Sequence, residues 1–274
     1  PITAEELGQV FPSQVQRRGL LDALILVVCI DGEVRAARRQ ALEGLARALG
    51  VRSPFLDMLQ AFQGKKLLTI KRGLAMHSPD ARRLFRRIWQ EEGVLGVLRV
   101  GQFVLGLHRD RELAGRFRAL SSLPPGTFGR AVADHFAARR LAFPGEAGGL
   151  PERMMHHDLM HVLNGYDTDA AGECELAGFY WGFTGGEAFT FIMIALATFQ
   201  LGLRVSPAVV EPARGAFDPR RVLLAFLRGR RLSVDIMGAW DYWVLMPLSM
   251  DEAREHLGIG ERRSCPEARD ALAA

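Results

Sequence analysis

His157-Asp158-Leu159-Met160-His161-Val162-Leu163-Asn164-Gly165-Tyr166-Asp167-Thr168-Asp169-Ala170-Ala171-Gly172-Glu173 is the stretch whose reading decides how this chain folds. A helix over residues 153 to 163 stacks His157 and His161 on one face, with Cβ atoms roughly 5–6 Å apart. Asp158 follows about 100° round the same helix. Asn164 to Asp169 then reads as a turn, and Glu173 falls on the first or second turn of a second helix. Folding that helix back on the first brings a carboxylate to two imidazoles and a third side chain, His157, Asp158, His161 and Glu173 in all. Such a donor set suits Zn²⁺ best, with Fe²⁺ or Mn²⁺ in a more open geometry. The plain alternative is a pair of solvated or core-edge histidines with an acid that only caps or pairs.

Outward from this motif the sequence stays helical. Alternation of β-branched residues over four or more positions is nearly absent, so no sheet is expected. The fold class is all-α, a helical metal-binding domain over 96–274 preceded by a smaller helical module over 1–95. In the 274 residues, 49% hydrophobic content is enough for a real core. The net charge of +4 is the excess of 35 basic over 31 acidic residues, and among the basic ones only Lys65, Lys66 and Lys71 are lysines. Arginines are scattered among Ala, Gly and Leu, and no aromatic-interleaved basic motif accompanies them, so nucleic acid is not an expected partner. Cys29, Cys174 and Cys265 lie far apart with no C-x-x-C pair, which fits a reducing cytoplasm. The N-terminal stretch carries Glu5 and Glu6 and has no signal-peptide pattern. The sixteen uncharged residues Ala188 to Leu203 fall short of a spanning helix and read as a buried one, able to line a hydrophobic tunnel.

The N-terminal half reads as short helices with marked starts. Thr3 to Glu6 is a capping box, Arg17 to Ile30 a strongly apolar helix, and Arg38 to Leu49 an amphipathic one. Ser53-Pro54 and Ser78-Pro79-Asp80 are further starts, and Glu91-Glu92-Gly93 ends the second of these helices. Gly93 to Gly96 is the expected boundary. Beyond it come Val97 to Leu107, Glu112 to Leu120, and Thr127 to Arg140 with Thr127 as N-cap. Ala142 to Pro151 is a loop leading to the motif. After the motif, helices are expected over Cys174 to Trp181 and Ala188 to Leu203, broken at Gly185-Gly186. Asp218-Pro219 starts another helix running through Leu227, and Ser249 to Glu252 is a second capping box before a short helix to Leu257. The tail after Gly260 is expected to fray. Arg228 to Arg231 reads as solvated surface or a site for an anionic headgroup, and Trp240, Tyr242 and Trp243 as core, a membrane-interface anchor or a cover for an isoprenoid tail.

Two resemblances add to this. H-D-x-x-H with eleven residues before E resembles the signature of the coenzyme Q biosynthesis protein four family, an all-helical family. Leu123 to Ala131 is similar to its P-x-G-T-x-G segment, and Trp240 to Ile259 to its Trp-rich ending in L-G-I, so the likeness covers about residues 96 to 260. The resemblance implies metal ligands at His157, Asp158, His161 and Glu173. It also implies action on a polyprenylated aromatic acid in ubiquinone biosynthesis, with the ring carboxylate replaced by hydroxyl, and assembly with other biosynthetic enzymes at a membrane. The module over 1–95 and the apolar run between Glu187 and Arg204 depart from the family pattern. That module, an apolar helix, Asp31-Gly32-Glu33 and an amphipathic helix, resembles the tellurite-resistance TerB-like domains, but Arg38 and Arg39 stand where a second acid belongs.

Of the remaining candidates, His77, His108, His135 and His256 stand alone and are expected to be structural. His156 points elsewhere on the motif helix, Glu175 faces away from Glu173, and Tyr166 in the turn is expected to support the ligands from just outside. Three functions follow as expectations. The first is a metal-dependent oxidative decarboxylase of a prenylated quinone precursor. The second is a non-catalytic protein that holds an isoprenoid lipid and assembles biosynthetic enzymes, peripheral to a membrane and as a possible homodimer. The third is a zinc metallohydrolase with Asp158 in the place of the glutamate of H-E-x-x-H enzymes.

Overall fold

The computed structural model describes residues 3–77, 90, 109–185, 188–205, 211–237 and 240–260. Among these residues the regular structure is helical, with two isolated β-bridges and no strand. The helices in order are α1 (Ala4–Val10), α2 (Gln14–Cys29), α3 (Ala36–Ala48), α4 (Pro54–Gln63), α5 (Leu67–His77) and α6 (Arg111–Ala119). They continue as α7 (Phe128–Arg139), α8 (His156–Asn164), α9 (Ala170–Phe183), α10 (Phe189–Ala195), α11 (Pro219–Gly229) and α12 (Met250–Leu257). The all-α expectation holds. Several expected features lie outside the described residues: the Ser78 helix start, its end at Glu91 to Gly93, the boundary at 93–96, the helix from Val97, His108, Gly186, and the tail with Cys265.

Capping residues set the helix starts where the sequence marks them. Thr3 with Glu6 and Ser249 with Glu252 form reciprocal capping boxes. Ser53, Thr127 and Asp218 each accept a first-turn backbone N–H, worth about 1 kcal/mol apiece. A further box, Ser13 with Gln16, starts α2 three residues before the expected Arg17.

The chain falls into two compact units, residues 1–79 with 168–230, and residues 80–167 with 231–274. The first gathers α1 to α5 with α9 to α11 round a core that includes Leu21, Ile25, Leu59, Phe189, Ile192 and Leu196, all fully buried. Here α9 and α11 approach at backbone distance. A Cβ on Gly182 would lie 2.0 Å from the Phe226 carbonyl oxygen, one on Gly178 2.5 Å from that of Val222, and one on Gly229 2.0 Å from that of Phe179. Only glycine fits at these positions. In the same unit, Asp31 pairs with Arg38 and Glu33 with Arg35, each at 2.5 Å. The acids of the Asp31-Gly32-Glu33 turn are thus taken up by arginine.

The apolar run after Ala188 is not one α-helix. It is α10 followed by a π-helical turn, Leu196–Gln200, in which Leu201 N–H bonds the Leu196 carbonyl at 2.9 Å. Gln200 is buried there, donating to the Ile30 carbonyl and accepting from Phe217 N–H at 3.2 Å. A buried amide needs partners on both sides, and the wider turn delivers them. Among the described residues no helix is long and apolar enough to cross a membrane.

The second unit holds α6, α7, α8 and α12. The segment Gly126 to Gly129, part of the P-x-G-T-x-G stretch, is clasped by the C-terminal chain. Phe128 N–H bonds the Leu248 carbonyl and Gly129 N–H that of Met246, both at 2.8 Å, and Met250 N–H bonds the Gly126 carbonyl at 3.1 Å. These bonds start α7 in a fixed place beside α8.

Candidate metal centre

The motif helix α8 is shorter than expected and is entered through a 3-10 turn, Glu152–Met154. The Glu152 carboxylate accepts from Tyr242 Oη at 2.8 Å and Trp243 Nε1 at 3.1 Å. Burial, then the bond to Glu152, raises the Tyr242 phenol well above its ordinary range, so it stays a donor. Trp243 packs on Phe117 with the Arg116 guanidinium 4.0 Å from its ring centroid. Tyr242 and Trp243 are therefore engaged in anchoring the approach to α8, the core reading of the three that the sequence left open for them. At the other end Arg254 of α12 donates to the Leu163 carbonyl at 2.8 Å, and Gly165 closes the helix in the left-handed conformation at φ 66°.

On this fixed helix the histidines meet as the spacing predicts. His157 Nε2 and His161 Nε2 are 3.3 Å apart. His161 is 1% exposed, and its Nδ1 lies 3.2 Å from the Tyr166 carbonyl oxygen. A carbonyl only accepts, so Nδ1 carries the proton and Nε2 of the neutral ring presents a lone pair. Tyr166 meets His161 through its main chain: the turn that Gly165 permits aims this carbonyl. Glu173 is the acid of the first turn of α9, whose start is capped by Asp169 accepting from Gly172 N–H at 2.7 Å. His157, His161 and Glu173 each offer one ligand atom, and these atoms lie within 4.8 Å of one another. Among the described residues this is the one such group of three.

The fourth residue of the expected set goes elsewhere. Asp158 is 5% exposed and its Oδ1 lies 3.6 Å from Nε2 of His135 on α7. His135, expected to stand alone, instead also stacks on His161 with ring centroids 6.2 Å apart. The reason is rotation: 100° round the helix from His157 faces α7. Neighbouring candidates are also accounted for. Glu175 points away, into an ion pair with Arg221 at 2.6 Å. Burial, assisted by Glu173 and Glu175, pushes the Cys174 thiol up to about 12, so it is a protonated thiol at neutral pH. His256 is exposed, and His77 packs edge-on against Phe55. Arg228 is buried, unlike Arg230 and Arg231, so the basic cluster is not one solvated patch.

The donors fit a divalent cation. Two nitrogens at about 2.0–2.1 Å from a tetrahedral ion stand about 3.3–3.4 Å apart, the separation of the two Nε2 atoms. Three protein ligands with a fourth position open is the pattern of catalytic rather than structural zinc sites. A shallow cleft of about 350 Å³ beside His161 is lined by Asp134, His135, Arg139 and Asp167 among others. Charge of both signs there suits the polar end of a ligand.

The sequence matches no protein-family profile and no curated protein. Among solved structures the chain is similar to a Nostoc punctiforme PCC 73102 protein provisionally named a ubiquinone biosynthesis protein. The identity is 18% and the TM-score 0.41, with 76% of this chain and 97% of that one covered. That likeness is too distant to bear on fold or function.

Proposed function

We propose that this chain holds one divalent cation, Zn²⁺ by its donors, on His157, His161 and Glu173, and acts on a prenylated aromatic acid in the synthesis of ubiquinone or a related quinone. The observation that carries the metal half is the pair of Nε2 atoms 3.3 Å apart, one of them freed as a lone pair by the Tyr166 carbonyl, with the carboxylate in reach. The substrate half rests on the resemblance of the H-D-x-x-H motif, the Pro124 to Gly129 segment and the C-terminal ending to the coenzyme Q biosynthesis protein four family.

The reaction is replacement of the ring carboxylate by hydroxyl. The ring–carboxyl bond breaks and CO₂ leaves. A ring–oxygen bond forms to one atom of dioxygen, while the other atom leaves as water with two electrons and two protons from an external reductant. When bound, the cation supplies a Lewis acid for the substrate carboxylate or phenolate. His161, locked in one tautomer, and His157, on the same rigid helix, hold its position. The Glu152, Arg254 and Tyr166 contacts keep that helix from turning. The hydrolase reading loses its base, because the Asp158 carboxylate is buried against His135.

Metal content of purified protein and metabolite profiles of a deletion strain test the proposal together. One metal per wild-type chain, lost in His157→Ala, and a carboxylated precursor that accumulates in the deletion strain and is not cleared by His157→Ala are expected. Full flux restored by His157→Ala would leave a lipid-holding assembly role and end the enzymatic one.

A further inference from the structure

We propose that His135 is a positioning residue of the metal centre: it holds Asp158 on the α7 side of α8, so that Asp158 sets the rotation of the histidine helix instead of ligating the cation. This rests on the metal reading above and adds two residues to it, one of them removed from the ligand set that the motif implies.

Three observations carry it. Asp158 and His135 are 5% and 8% exposed, and the 3.6 Å between them is within ion-pair range but longer than a hydrogen bond. Neither His135 Nε2 nor Asp158 Oδ2 has a hydrogen-bond partner within the protein. His135 also stacks on His161, its ring 26° from parallel. Two polar groups buried with unsatisfied atoms are a poor way to pack two helices, since apolar side chains of similar volume commonly serve as well or better. Their value is directional. Asp158 adjoins His157 and lies three residues before His161, so a turn of α8 that brought Asp158 to the cation would carry both Nε2 atoms off it. His135 opposes that turn from α7 while its ring backs His161. Contacts of this kind, one layer outside the ligands, typically change metal affinity by about 10–100-fold.

The test is zinc binding by competition with a chromophoric chelator, together with the visible absorption of the Co²⁺-loaded chain, on wild type, Asp158→Asn, His135→Leu and His135→Gln. The expected result is one Zn²⁺ per chain in all four, bound about 10–100-fold more weakly by His135→Leu. Its Co²⁺ bands should shift, and His135→Gln, which keeps a donor, should recover both. Circular dichroism identifies any variant that does not fold; should His135→Leu be one, a His135→Gln affinity and spectrum differing from those of His135→Ala decide the matter. Loss of the metal in Asp158→Asn to the extent seen in His157→Ala would make Asp158 a ligand and overturn the inference. So would wild-type affinity and spectrum in His135→Leu. A wild-type chain that takes up no Zn²⁺ would instead bring down the metal reading itself.

Discussion

Two helix pairs in this molecule are built on opposite terms. Where α9 meets α11, glycines let one backbone touch the other, and a single methyl group would collide with a carbonyl oxygen 2.0 Å away. Where α7 meets α8, a histidine and an aspartate are buried face to face with polar atoms left unsatisfied. The first pair is close packing carried to its limit. The second gives up stability in the place where His157 and His161 are aimed at each other, as candidate functional sites commonly do.

The largest effect expected is on the ligands: His157→Ala or His161→Ala should take metal content from one per chain to none by elemental analysis, while Gly182→Ala leaves it unchanged. Exchange of those results would place the site in the wrong pair. Next is a buried acid in the glycine-bearing unit. Desolvation, opposed by Arg18 and by Ser53, pushes the Asp22 carboxyl up to about 7. Between the unfolded value near 3.8 and about 7 the folded chain keeps a proton that the unfolded chain releases. Stability is therefore full below that window and falls as pH rises through it, by roughly 2–4 kcal/mol in all. Denaturant melts across this range should show the fall, and Asp22→Asn should flatten it.

The contrast itself is sharpened by repacking. His135→Leu with Asp158→Leu should be neutral or should stabilise the fold by about 1–4 kcal/mol, at the expense of metal affinity. By contrast, Gly182→Ala should destabilise by about 1–3 kcal/mol in the same urea titration, because α11 must retreat. A stabilised Gly182→Ala or a collapsed double leucine variant would erase the distinction. The smallest effect is that of Arg254→Met, which removes a donor from the Leu163 carbonyl and should cost about 1 kcal/mol.

Local chemistry made much of this legible. Caps at Thr3, Ser53, Thr127, Asp218 and Ser249 stand in the sequence because a hydroxyl or carboxylate satisfies an N–H two or three residues on. Four-residue spacing likewise fixed the meeting of His157 and His161. What escaped is what depends on a distant segment. His135 lies 22 residues before His157 and nothing local marks it as a neighbour. The Glu152 clasp to Tyr242 spans 90 residues. That Asp158 lies against His135 was not legible either, because a motif names a residue without saying which way its helix is turned. The π-turn at Leu196–Gln200 arises from what Gln200 finds to bond, and hydropathy alone reads through it. The close approach at Gly178 and Gly182 likewise depends on a remote helix, whose Gly229 supplies the other half.

The bond from Arg254 to the Leu163 carbonyl closes over 91 residues of chain. During synthesis the histidine helix is therefore exported from the ribosome long before the residue that holds its far end exists. Until Arg254 has been added, the last turn of that helix lacks the donor to its Leu163 carbonyl, so the settled form of the histidine helix waits on a segment made much later.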